Sequence, residues 1–75
     1  MFEMEKKAEV QVIIYDLKGN VVNELMNANV PAGNYNLSWS GVDDSGEKVV
    51  NGTYLVSIFV NGKYAGSEKV VKKGK

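Results

Sequence analysis

Cysteine and histidine are both missing from this chain of 75 residues. Their absence removes the disulfide staple of many small extracellular domains, the usual zinc sites, and the Ser-His-Asp and Cys-His nucleophile arrangements. Proline and tryptophan occur once each. Neither sign of charge is in excess: nine basic residues balance nine acidic ones, which argues against nucleic acid as a partner, since phosphate binding needs a basic surface. No apolar run approaches the roughly 20 residues that cross a bilayer as a helix, so no membrane insertion is expected. The opening MFEMEKK lacks the apolar segment of a signal peptide, although a piece cut from a longer exported protein would open in the same way. These absences leave one small domain, expected to bury only roughly 60% of the surface its unfolded form exposes. Packing and sheet hydrogen bonds must hold it together.

The sequence offers period-two alternation broken by turn residues. Phe2 and Met4 alternate with Glu3 and Glu5, and Val10, Val12 and Ile14 alternate with Glu9, Gln11 and Ile13, each reading as a strand. Asp16 to Asn20 carries Gly19 and predicts a short hairpin loop before a third strand over Val21 to Met26. Asn27 to Val30 reads as polar and irregular, and Val30-Pro31-Ala32-Gly33 as a turn. The pattern then predicts a strand over Asn34 to Trp39, with Tyr35, Leu37 and Trp39 on one face. Asp43 to Gly46 follows as a turn in which an Asp side chain bonds backbone two residues on, then a short edge strand over Lys48 to Val50. Thr53 to Val60 is apolar at almost every position, and Asn61-Gly62 is a strong hairpin signal joining it to a strand over Lys63 to Val71. No segment has helical periodicity over a useful length.

About seven short strands with turn signals every 8 to 12 residues or so predict an all-β, immunoglobulin-like antiparallel sandwich, with a small barrel as the alternative. The expected domain covers residues 1–71 and a basic tail residues 72–75. Tyr35, Leu37, Trp39, Tyr54, Val56 and Ile58 are the expected centre of the core.

The ordered set V-x-V-x-I-Y-D-L-x-G-x-V-V-x-x-L (Val10 to Leu25), P-A-G-x-Y-x-L-x-W-x-G (Pro31 to Gly41), D-D-S-G (Asp43 to Gly46) and G-T-Y-L-V-x-I (Gly52 to Ile58) resembles the immunoglobulin-like domain of the flagellar hook-capping protein. It also resembles the related C-terminal modules of secreted bacterial proteins, including type IX secretion sorting domains. The resemblance implies a β-sandwich with no catalytic residues, no cofactor, and a place outside the cytoplasm as part of an exported protein. Ser40 departs from the acidic residue that usually follows the tryptophan. The ending EKVVKKGK resembles the lysine-and-β-branched finish of the sorting modules.

Three groups of residues bear on chemistry. Asp43, Asp44 and Glu47 lie close enough to suggest calcium, but their spacing lacks the alternating donors of a dedicated loop, and a turn with solvated acids is the better reading. Tyr15, Tyr35, Trp39, Tyr54 and Tyr64 would suit a sugar-binding platform, the basis of an alternative reading as a carbohydrate-binding β-sandwich module. The lysines at 69, 72, 73 and 75 read as a solvated end.

One surplus remains. A two-layer sandwich gives each strand a single inward face, yet Leu55 and Phe59 oppose Tyr54, Val56 and Ile58, while Ile13 and Tyr15 oppose Val12 and Ile14. Side chains folding over a strand end account for this equally well. The functional reading is a contact patch of Ile13, Tyr15, Leu55 and Phe59. Its partners are expected to be neighbouring domains of a parent protein or other protein subunits, with a second copy of this chain as a weak one.

Overall fold

The computed structural model describes residues 2–74. Met1 and Lys75, the first residue of the expected domain and the last of the expected tail, lie outside the described residues. Six strands form: β1 (Phe2–Met4), β2 (Ala8–Tyr15), β3 (Val21–Val30), β4 (Gly33–Tyr35), β5 (Gly52–Val60) and β6 (Lys63–Lys72). No helix occurs among the described residues. The strands make two antiparallel sheets, one of four strands in the order β3-β2-β5-β6 and one of two, β1-β4. This is an immunoglobulin-like sandwich with a much smaller second layer.

β2 sets the layering. Its alternation puts Ala8, Val10, Val12 and Ile14 inward, the last three with no exposed surface. Register brings Val60, Ile58 and Val56 of β5 opposite Val10, Val12 and Ile14. On the other side, Val30, Ala28 and Met26 of β3 lie opposite Ala8, Val10 and Val12. Phe2, Met4 and Tyr35 of the small sheet pack over this face, and the Phe2 and Tyr35 rings stack with centroids 5.4 Å apart.

Two expectations need correction. The third strand does not stop at Met26: Asn27 to Val30 continue it, with Asn27 and Asn29 opposite Gln11 and Glu9. The asparagines are exposed, while Val30 at the end of the strand is buried in the core. Register shifts between Val12 and Ile13 and between Ile14 and Tyr15 leave Leu25 and Val22 as extra residues in β3. Such bulges let consecutive residues share a face, and Leu25 and Met26 both pack against the core.

The second correction concerns Asn34 to Trp39. Among the described residues the ladder ends at Tyr35, opposite Phe2. Leu37 is consequently 37% exposed and Trp39 half-buried. The Trp39 ring sits edge-on to Tyr54, 5.1 Å between centroids, and its indole N–H donates to the Val42 carbonyl at 2.7 Å. The expected edge strand over Lys48 to Val50 is a single bridge between Val42 and Lys48. The centre of the core is therefore Val10, Val12 and Ile14 with Tyr54, while Tyr35, Val56 and Ile58 are half-buried around it.

A five-residue device occurs twice. In Pro31-Ala32-Gly33-Asn34-Tyr35 and Val50-Asn51-Gly52-Thr53-Tyr54 the tyrosine hydroxyl donates to the carbonyl four residues back, Tyr35 to Pro31 at 2.5 Å and Tyr54 to Val50 at 2.6 Å. The glycine between them sits at φ 149° in the first and 154° in the second, a conformation that other residues adopt only with strain. A tyrosine bonding back across a corner is a known fixture of immunoglobulin-like sandwiches. Here it starts one strand in each sheet.

The turns are held by aspartates. Asp16 Oδ1 accepts the Lys18 and Asn20 N–H groups, each at 2.9 Å, and Oδ2 accepts the Asn20 amide at 3.1 Å. Asp43 Oδ1 accepts the Ser45 hydroxyl at 2.6 Å, the Ser45 N–H at 2.9 Å and the Glu47 N–H at 3.0 Å. The Asn20 backbone, then its side chain, holds the Asp16 carboxyl below its ordinary value of 3.8. The Ser45 hydroxyl, then the Glu47 N–H, does the same for Asp43. Each folded pKa is depressed, so the stabilisation is present above 3.8 and is lost as pH falls through the lower folded value. Urea titrations are expected to show this contribution intact above 3.8 and stability falling as the pH is taken below it, with a shallower drop for D16N/D43N. An unchanged slope in the double variant would unlink these turns from acid unfolding.

Candidate interaction surface

Alternation along β2 and β5 sends Ile13, Tyr15, Leu55 and Phe59 to the side of the large sheet away from β1 and β4. Register then makes them neighbours. Tyr15 pairs directly with Leu55, Ile13 with Ser57, and Gln11 with Phe59, so the four apolar side chains surround Ser57 on the two central strands. Each is half-buried, and Ser57 beneath them is only 6% exposed. Tyr64 and Val71 of β6, opposite Phe59 and Thr53, extend the same face with exposures of 63% and 60%.

Polar contacts flank the patch on both sides. Toward β6, the Ser57 and Ser67 hydroxyls are 2.8 Å apart, and Tyr64 Oη lies 2.6 Å from Ser67 Oγ. This network satisfies Ser57, whose desolvation would otherwise be unfavourable. The Phe59 and Tyr64 rings meet edge to face at 5.9 Å. Toward β3, Gln11 Nε2 donates to Glu24 Oε2 at 2.8 Å.

The remaining candidates are dispersed or engaged. Tyr15 and Tyr64 lie on the outer face, whereas Tyr35 and Tyr54 belong to the inner side, so the aromatic residues form no common platform. Asp43 is occupied by its own turn, and Asp44 Oδ1 accepts the Glu24 N–H at 3.0 Å while its N–H donates to the Val22 carbonyl at 3.1 Å. Asp44 thus caps part of the free edge of β3, where an open ladder invites wrong pairing. No group of three or more acidic residues placed to hold a metal ion occurs among the described residues. At the end of β6, Lys72 Nζ donates to Asn51 Oδ1 at 3.1 Å and Asn51 Nδ2 to the Gly74 carbonyl at 2.9 Å.

Sequence reasoning missed the doubled tyrosine corner, although its signal, a Gly-x-Tyr triplet at the start of a strand, is present twice. It also missed the role of Asp44, which depends on contact with a strand some 20 residues earlier in the chain.

Comparison with curated proteins and with solved structures gave no match. Comparison with family models matches the FlgD Ig-like domain over residues 1–63, a stretch that contains β1 to β5, both tyrosine corners and all four patch residues. The all-β sandwich and this match agree, and the chain belongs to the FlgD Ig-like domain family.

Proposed function

We propose that this domain is a non-catalytic interaction module of a larger extracytoplasmic bacterial protein. It serves either as a scaffold domain of a flagellar hook cap or as the C-terminal module of a secreted or cell-surface protein. Membership in a family of structural hook-capping domains supports the structural role. The observation that carries the interaction is the grouping of Ile13, Tyr15, Leu55 and Phe59 on the outer face of a sheet whose other face is the core. Its partner is a neighbouring domain of the parent protein or another subunit of the assembly.

A polar double replacement, L55T/F59T, tests this. Threonine keeps the strand preference, so circular dichroism is expected to stay that of a folded β protein. Association with the neighbouring domain or subunit, followed by sedimentation, is expected to weaken about 30-fold, since central anchors of an interface contribute roughly 2 kcal/mol or more. Unfolding would make these side chains part of the core, and unchanged association would place the contact elsewhere. Either result removes the patch.

A further inference from the structure

The sandwich is open between its layers. A cleft of about 370 Å³ lies there, floored by Val12, Val56, Ile58 and Val70 and walled by Leu37 and Trp39. Gly66, opposite Ile58, adds no side chain to fill it. Leu37 and Trp39 belong to residues 36–40, which follow β4 directly, and none of the backbone groups of that segment takes a backbone hydrogen bond among the described residues. An apolar cleft beside unpaired backbone is the edge to which a strand adds.

The register of β1 indicates what fits. Phe2 pairs with Tyr35 and also lines the cleft. A strand that carried this register past Phe2, away from Glu3, would run antiparallel beside Asn36 to Trp39. Its residues opposite Leu37 and Trp39 would point as Phe2 does, into the cleft.

We propose that the cleft receives one added β-strand, an extended segment with apolar residues at alternate positions, supplied by the parent polypeptide from the Met1 end. The inference rests on reading this domain as part of a larger protein. The size of the slot decides the source. Residues 36–39 offer so short a ladder that a free peptide would not offset its lost translational and rotational freedom. A strand continuous with β1 is already tethered in register and loses little.

The test is to join Thr-Val-Thr-Val ahead of Met1, which places its valines opposite Leu37 and Trp39, and to compare Val-Thr-Val-Thr, which places them one residue out of phase. The first is expected to slow amide exchange at residues 37–39 by about tenfold or more, to raise the melting temperature, and to move Trp39 emission to shorter wavelength. The second is expected to do none of these. Equal effects from both, or no protection from either, would overturn the proposal. So would saturable binding of free Thr-Val-Thr-Val, which would make the cleft a site for a separate chain. Because Leu55 and Phe59 lie on the opposite face, lost association there and lost protection here report separately on the two readings.

Discussion

Replacing Ile14 with alanine is expected to destabilise the domain by about 2 to 5 kcal/mol. Ile14 has no exposed surface and stands between Val56 and Asn23 on the central strand, where the neighbouring backbone is held by ladders on both sides and is poorly placed to collapse into a void. A single core in a chain this short rarely supplies more than about 3 to 5 kcal/mol. The variant should therefore populate the unfolded state strongly even without denaturant, and urea titration followed by circular dichroism measures it. Leu37→Ala is the control, because a side chain 37% exposed should lose about 1 kcal/mol or less. Equal losses at the two positions would mean that the core is not centred on β2.

Trp39→Ala comes second, at about 2 kcal/mol, below the roughly 3 to 5 kcal/mol of a fully buried aromatic. Three contributions go together: part of the ring's burial, the edge-to-face contact with Tyr54, and the indole bond to the Val42 carbonyl. That carbonyl also accepts Asn23 Nδ2 at 2.9 Å, so it keeps a partner, which limits the loss. Wild-type emission is expected between the values of buried and hydrated indole, with partial quenching by acrylamide. A loss approaching that of Ile14→Ala would mean that the ring is buried more deeply than it stands here.

Much of the fold was legible because alternation and turn chemistry are local. β2, β5 and the Asn61-Gly62 hairpin follow from a few residues each, and Asn61 at φ 51° with Gly62 at φ 79° is the left-handed pair that such a turn requires. The sequence pattern stops β3 at Met26 because asparagine disfavours strands in isolation, whereas Glu9 and Gln11 across the ladder give Asn29 and Asn27 a place. The same pattern carries β4 on to Trp39 for the converse reason: Leu37 and Trp39 alternate correctly, but alternation says which way side chains point and nothing about whether a partner strand exists. The same limit applies to the patch. That Leu55 and Phe59 share a face is readable from their spacing, while the pairing of Tyr15 with Leu55 is a long-range fact that no window along the chain contains.

The large sheet also has a history in time. β2 and β3 form one hairpin around the Asp16 turn, β5 and β6 another around Asn61-Gly62, and the two meet only along the seam between β2 and β5. Each hairpin can form in roughly microseconds, but neither is stable alone, and the seam must close the whole stretch from Tyr15 to Leu55 before any of its contacts accrue. The seam thus sets the pace, in the slow range typical of sheets built from distant segments. Until it closes, the inner edges of both hairpins are open to strands of other chains. A formal charge of zero supplies little repulsion to keep those chains apart, so the interval before closure is when this domain is most exposed to aggregation.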